Sequence, residues 1–439
     1  MDDNTRIYHI KQRYGKNEWS EHYSVLKDGK SIQKRTADEP RSRNTTTLFT
    51  RIYVSILQVM REVFLPEGYP DTVSSDYLAY QFWDTLQAFC SSINNILATQ
   101  GVLKGSGIGD VKATVMAATV TWLLKSGSGM LGSILFAWTR GSHLDCYCKQ
   151  WRFSADVLND FAIFVEILAP LVGPDYFLYV MCISAIAKSI VGVAGGSTRA
   201  AVTSHQARHG NMADVSAKDG SQETVVNLSA LVIGLVMIPI VNENTTTIWS
   251  LYIVLTALHL YANYRAVRAI EMEFVNLIRL QILIKFYLTS GRIKSIQETN
   301  REEPICLNFF TRSNEYELGA KLTADGSNQL FCLERGLFIQ KKRGKISIVL
   351  EENFSTVALL ESIFYAELYI YLQYKPTNLT TLSWTQDPEL NTTVMYNELK
   401  PGSKDYIMLF QDFNIKFNKS DWNADVIKVS TTPWRYEQY

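Results

Sequence analysis

The sequence predicts a mainly α protein: a multi-pass transmembrane helical bundle followed by a small cytosolic α+β C-terminal domain. Three observations predict it. Charged side chains concentrate in residues 1–76 and 264–439, whereas residues 111–263 hold long charge-poor runs separated by short charged clusters. The basic residues of the intervening loops alternate from one end of the apolar runs to the other, the sorting expected of loops on opposite faces of a bilayer. Beyond residue 296 the apolar pattern changes to a strand–turn–strand and one core-type helix.

Whole-chain averages conceal this division. A hydrophobic fraction of 47% with 20% charged residues in 439 would suit an ordinary soluble protein. The 43 basic and 43 acidic residues cancel, so no basic field draws in nucleic acid, which is excluded as a partner. Six scattered cysteines, two of them in apolar runs, read as reduced thiols rather than a disulfide framework. The opening MDDNTRIYHIKQRYGKNEW contains Asp2, Asp3 and Glu18 and no apolar core, which matches neither a secretory signal nor an Arg-rich transit segment.

Residues 1–47 form a polar N-terminal region with a hairpin expected through YSVLKDGKSIQKR, because Asp-Gly suits a two-residue turn. A helical membrane domain is expected over 48–290. It opens with LFTRIYVSILQVMREVF, an amphipathic helix for a protein or membrane surface, ended by Pro66 and Gly68. Residues 77–103 carry only Asp84 among charges, yet their Gln, Ser and Asn give a polar face; the segment fits a span or an interfacial helix. GSGIGD at 105–110 breaks the pattern. Two short apolar helices follow, VKATVMAATVTWLL and GSGMLGSILFAW, divided at Lys125, and each falls short of the ~20 residues that cross hydrocarbon. One hinged element, two tilted spans and broken transporter-type helices all fit them.

Two helical hairpins come next. Residues 157–172 and 176–194 are joined by GPD, and Thr224–Asn242 and 248–264 by a short polar loop. Arg140, Lys149 and Arg152 precede the first hairpin, Arg199, Arg208 and Lys218 lie between the two, and Arg265 and Arg268 follow the second, while GPD and NENTTT contain no Lys or Arg. Positive-inside sorting therefore places the 195–223 loop and everything after 264 in the cytosol. Within that loop Asp219-Gly220 is expected to turn, and Asp219 with Gln222 to cap the helix that enters the bilayer. A soluble core of helices apolar all round is the competing reading. Four such helices in near succession argue against it.

After 264 a helix is expected to run on through YRAVRAIEMEFVNLIRLQILIKFYLTSGRI, leaving the membrane. Residues 296–439 form the α+β domain. GLFIQKKRGKISIVLEE at 336–352 reads as a hairpin, and residues 355–374, opened by Ser355 and stopped before Pro376, as a helix that Glu361 and Glu367 favour as core rather than span.

Asp160, Glu166 and Lys188 fall inside expected spans, where an ionisable group costs at least ~2.5 kcal/mol on insertion scales and faces a partner or a wet path. They form the candidate intramembrane polar path; an ion pair of Glu166 with Lys188 would serve gating or simply fix helix register. Small residues at four-residue spacing, Ser128 with Gly132, Ala185 with Ser189 and Gly192 with Gly196, are candidates for close helix packing, as are Ala113, Ala117 and Thr121. GSGIGD lacks the third glycine of a dinucleotide fingerprint and a preceding strand, so it reads as a loop. His205 and His209 read as a solvated loop pair rather than metal ligands, since no third ligand lies nearby. In HLDCYC, Cys146 and Cys148 are structural cysteines or juxtamembrane palmitoylation sites. No catalytic constellation emerges, so neither an enzyme, a metal site nor a cofactor is expected.

FLPEGYPDTVSSDYLAYQFWDTLQAF (64–89), LATQGVLKGSGIGD (97–110), LLKSGSGMLGSILFAW (123–138) and AGGSTRAAVTSHQARHGNMADVSAKDGSQETV (194–225) resemble, in order, the most recognisable segments of the Root UVB Sensitive family. The resemblance covers about 60–290, with a family-type C-terminal domain beyond. It implies a membrane-associated protein of a family found in plants and animals, whose plant members are linked to UV-B responses in seedling roots, auxin transport and vitamin B6 balance. It supplies no catalytic residues. Two roles are expected from the whole: transporter-like handling of a small-molecule solute in the lipid bilayer, or a membrane adaptor that holds the cytosolic domain for a protein partner.

Overall fold

A computed structural model of the chain describes residues 7–13, 20–26, 32–35, 59–106, 115–241, 244–306, 316–322, 329–332, 338–342, 345–374, 381–382, 394–395, 404–431 and 434–436. The chain is mainly helical and divides into two compact units, Met1–Ser75 with Gln206–Thr224, and Asp76–His205 with Val225–Tyr439.

In the first unit β1 (Ile7–Arg13), β2 (Ser20–Leu26) and β3 (Ile32–Arg35) form an antiparallel sheet, and β2 and β3 are the expected hairpin. Residues 59–64 are helical; the part of the expected 48–64 helix before 59 lies outside the described residues. The chain at 65–75 pairs with the connector at 206–211, through Val73 bridged to Ala207 and Arg208 N donating to Thr72 O at 3.1 Å. The polar loop expected at 211–223 is instead helix: α5 begins at Met212, and Asp219 and Gly220 lie inside it. Gly210, at φ 68, makes the turn, and Val215 N donates to Asn211 O at 3.0 Å. The polarity that suggested a loop has another cause. Asp214 accepts from Glu67 N at 2.7 Å, Gln222 donates to Phe64 O at 2.7 Å and Lys218 donates to Glu62 O, so the helix's polar residues fasten the 59–75 segment.

The second unit begins with α1 (Tyr77–Gly105), α2 (Val115–Leu144) and α3 (Cys148–Leu168). A 3-10 turn (Ala169–Leu171) and Gly173 lead to α4 (Pro174–Gln206), which makes the first expected hairpin. α5 (Met212–Val241) and α6 (Thr245–Ala269), opened by Asn244 accepting from Thr247 N at 3.1 Å, make the second.

One open expectation is narrowed here and another corrected. Of the alternatives for the segments on either side of Lys125 the single element holds, as one continuous helix, α2, whose Gly-rich stretch approaches α4 closely for want of side chains. A Cβ at Gly129 would stand 3.4 Å from the Ala185 carbonyl oxygen, and one at Gly132 2.8 Å from Ser189 Oγ. Nor is α3 a fourth apolar helix. Among the described helices, α4, α5 and α6 are long and apolar enough to cross a membrane, while α3 carries Lys149, Arg152, Asp156, Asp160 and Glu166.

The helix expected to continue past 264 breaks as well. α6 stops before Ile270, which is extended, and β4 (Phe274–Asn276) pairs in parallel with β11 (Asn423–Lys428). The side chain of Asn276 then caps α7 (Leu277–Ser290) by accepting from Arg279 N at 2.8 Å, and Gly291, at φ 68, ends it. After α8 (Ile296–Glu302), strands β5 (Tyr316–Leu318), β6 (Gln329–Cys332), β7 (Phe338–Lys342) and β8 (Lys345–Val349) form a sheet in the order β5-β8-β7-β6, with β7 and β8 as the expected hairpin. α9 (Thr356–Tyr374) is a core helix, as Glu361 and Glu367 suggested: Ile363 and Phe364 pack with Leu283 and Tyr287 of α7 and with Phe410 and Phe413 of α10 (Lys404–Asn418). β9 (Thr381–Leu382) and β10 (Val394–Met395) form a separate antiparallel pair.

Candidate functional site

The charges of α3 fall three or four residues apart. Arg152, Asp156 and Asp160 therefore share one face, and the structure buries that face against α1 and α6. At its centre His259 of α6, fully buried, presents Nδ1 to Asp160 Oδ2 at 2.8 Å and Nε2 to Gln87 Oε1 at 2.9 Å. Gln87 donates its amide nitrogen to Asp84 Oδ1 at 3.4 Å, which turns its oxygen toward the ring. A turn away, Arg152 pairs with Asp84, and Asn263 donates to Asp156. Toward the other end Asn94 donates to Thr256 Oγ1 at 3.1 Å, and the Tyr252 hydroxyl to the Asp160 carbonyl at 2.9 Å. Asp160 Oδ1, Asn94 Oδ1 and Asn263 Oδ1 are buried without a hydrogen-bond partner among the described residues, and so is Arg152 Nε. The seam thus carries three carboxylates against one guanidinium and one imidazole, and most of its unsatisfied atoms are acceptors.

A second cluster occupies the side of α3 that meets α4. Lys188 Nζ lies 2.6 Å from Glu166 Oε2 and 3.3 Å from Asn95 Oδ1 of α1, and Ser184 donates to Glu166 Oε1 at 2.7 Å. Glu166 is 4% exposed in its side chain and Lys188 34%, so the carboxylate is interior and the ammonium sits at the margin. Asn159 of α3 donates to Ser91 Oγ of α1 at 3.1 Å. The structure therefore joins Glu166 to Lys188 and sends Asp160 to a different partner, His259, on a different helix.

Of the small-residue candidates, Gly132 abuts Ser189 and Ile186, and Gly129 abuts Ala185. Ser128 donates to the Lys125 carbonyl of its own helix at 2.8 Å. At Gly192 and Gly196 an added Cβ would meet nothing within 4 Å, so neither marks a close approach. Ala113 lies outside the described residues, as does the side chain of Ala117.

One further reading changes, and another narrows. His205 is not solvated: it is helical, with its side chain only 5% exposed and 2.9 Å from Asp76 Oδ2, which also accepts from Glu271 N at 2.7 Å. His209 N donates to Asn211 Oδ1 at 3.3 Å, and no group of three or more His, Cys, Asp or Glu suited to a metal ion occurs among the described residues. Cys146 and Cys148 are both buried, and burial pushes the Cys146 thiol up to about 11, so neither offers the exposed thiol that palmitoylation requires.

One ionic group escaped the sequence altogether. Glu303, just after α8, accepts from Arg279 Nε of α7 at 2.9 Å and from Asn276 at 2.9 Å, and lies 3.6 Å from Lys149 Nζ at the start of α3. All three charged groups are buried. Two cations share one carboxylate, and Arg279 holds it most closely. Burial brings Lys149 down to about 8, against the pull of Glu303 and with a push from Arg279, while Arg279 and Lys149 hold Glu303 below the usual carboxylate range despite its own burial. Asn300 ties the same group together, accepting from Lys149 at 2.7 Å and from Met272 N at 3.1 Å.

Three long apolar helices beside helix contacts lined by carboxylates and amides define the class of this protein. Its family follows from comparison. Residues 51–291 match the family model described as the vitamin B6 photo-protection and homoeostasis domain, and residues 292–438 match root UVB sensitive protein, C-terminal. The chain belongs to the Root UVB Sensitive family. It is 47% identical over 267 residues to RUS family member 1 of Dictyostelium discoideum, covering 60% of this chain and 50% of that protein. It is 33% identical over 349 residues to protein root UVB sensitive 3 of Arabidopsis thaliana, covering 75% of this chain and 78% of that protein. Protein root UVB sensitive 6 of Arabidopsis thaliana is 26% identical over 321 residues, covering 71% of this chain and 63% of that protein. No solved structure matches the chain.

Proposed function

We propose that this Root UVB Sensitive protein is an integral, multi-pass membrane protein that handles a polar solute without catalysing a reaction, with its C-terminal α+β body in the cytosol. The carrying observation is the distribution of polarity. On α5, Leu228, Leu231, Val232, Leu235, Val236 and Ile240 are exposed, whereas Asp160, Glu166 and His259 are buried. At ~1.5–3 kcal/mol for removing each such side chain fully from water, partial exposure of six on α5 alone costs on the order of 10 kcal/mol in water, a cost that lipid removes. Backbone groups in lipid must be satisfied internally, and long unbroken helices meet that requirement. What supports solute handling over a bare anchor is the ion pair of Glu166 with Lys188 where α3 meets α4, because ionisable groups inside membrane proteins commonly mark solute and ion paths.

Alkaline carbonate extraction of membranes from cells making the full chain tests the setting: the protein stays with the pellet, and release into the supernatant overturns the proposal. An unbiased metabolite-flux screen of the full chain in liposomes tests the role. At least one polar solute crosses at a rate that Glu166→Gln lowers; flux equal to that of empty liposomes for every compound refutes solute handling.

A further inference from the structure

We propose that the seam between α1, α3 and α6 is a proton-binding site in which His259 holds the proton between Asp160 and Gln87, both ring nitrogens carrying hydrogen at neutral pH. A neutral imidazole has one donor nitrogen and one acceptor nitrogen. Here both nitrogens face oxygen acceptors, Asp160 Oδ2 at 2.8 Å and Gln87 Oε1 at 2.9 Å. Gln87 cannot turn its NH2 to the ring instead, because its oxygen would then face Asp84 Oδ1, the atom to which that NH2 now donates. With Asp160 as the carboxylate, only the imidazolium satisfies both contacts.

The charges packed around the ring point the same way. From α1 come Asp84, Tyr80, whose hydroxyl donates to Asp84 Oδ1 at 3.2 Å, and the Cys90 thiol. From α3 come Arg152, Asp156 and Asp160, and from α6 itself Tyr252. With His259 protonated, three carboxylates oppose two cations; without the proton they oppose one. Asp160 Oδ1, buried and unpartnered, adds a further acceptor beside the ring.

Loss of the proton would set a lone pair of His259 against either Asp160 or Gln87, so occupancy of the site is read directly by the packing of α6 on α1 and α3. This inference names the ion that accompanies solute handling and rests on that proposal for its membrane setting alone. Protonation of the ring is measurable whether or not a solute moves.

The test is nitrogen-15 NMR of the full chain in detergent micelles or nanodiscs, with its six histidines labelled. At about pH 7, where a free imidazole is mostly neutral, one histidine shows the doubly protonated signature. That signal disappears in His259→Gln and converts to a neutral tautomer in Asp160→Asn. Should Asp160→Asn fail to fold, Gln87→Leu, which removes the second acceptor, is expected to give the same conversion. Six neutral histidines at that pH overturn the proposal, and so does an imidazolium signal that survives His259→Gln. A neutral His259 beside a positive flux screen removes this inference and leaves the solute proposal standing; the reverse result removes the latter alone.

Discussion

Glu303→Gln should damage this protein far more than removal of the lysine it touches. Glu303 is the single carboxylate among two buried cations, accepting from Arg279 Nε at 2.9 Å with Lys149 at 3.6 Å. Breaking a buried pair by removing one partner costs ~3–5 kcal/mol, because the remaining charge is left uncompensated. Here two like charges would remain. For a cooperative unit of about 200 residues that loss lowers the melting temperature by roughly 6–20 °C. Lys149→Met behaves differently. Glu303 stays paired with Arg279, Asn300 Oδ1 still accepts from Met272 N, and a surplus buried charge is gone, so the change stays within about 1 kcal/mol. The pH dependence separates the two. Lys149 titrates at about 8 in the fold, below its ordinary value of 10.5, so between those values the unfolded chain binds more protons and stability rises with pH. Glu303 is held below the usual carboxylate range, so its contribution is present at neutral pH and is lost as pH falls through its folded value. Thermal melting of the full chain in detergent, read by fluorescence from acid pH up to about pH 10, measures both effects. Equal melting temperatures for Glu303→Gln and the parent, or a larger loss for Lys149→Met than for Glu303→Gln, would refute the reasoning.

The remaining expectations concern packing. A Cβ at Gly101 would stand 2.8 Å from the Glu166 carbonyl oxygen and 3.1 Å from Ile167 Cα, so Gly101→Ala forces α1 away from the backbone of α3 and costs ~1–3 kcal/mol. Gly192→Ala meets open space on α4 and should be neutral, or stabilising by up to ~1 kcal/mol; melting temperatures in detergent that fail to separate the two would count against the helix contacts described. Phe364→Ala removes a fully buried ring ringed by Tyr287, Phe410 and Phe413 and should cost ~3–5 kcal/mol, visible as protease sensitivity of the C-terminal body.

Elements whose signal is local were legible in the sequence. The β7–β8 hairpin shows in the alternation of Ile346, Ile348 and Leu350 after a basic turn, and the two helical hairpins show in their short turns without Lys or Arg. Local reading failed where a residue's partner is distant in the chain. SGSGMLG looks like a breaker, because glycine weakens an isolated helix, yet Gly129 and Gly132 are small for the sake of α4. Asp214, Lys218 and Gln222 look like loop polarity until the backbone of 62–67 is seen to bind them. At the candidate site Asp160 and Glu166 were visible as charges out of place. His259, a lone histidine in an apolar run, carried no such mark, and only the fold joins it to Gln87 and Asp160. A usable signal did exist: Arg152, Asp156 and Asp160 at helical spacing, opposite an α1 face holding Asp84 and Gln87.

Membrane crossing by α4, α5 and α6 is the claim on which the functional account stands, and topology mapping in sealed vesicles tests it most directly. Short protease sites are inserted singly at Gly173, at residues 242–243, beside Gly210 and beside Glu271. If each of the three helices crosses, the first two sites are cut from one side of the vesicle and the last two from the other. Cleavage of all four from the same side would mean that these helices do not cross.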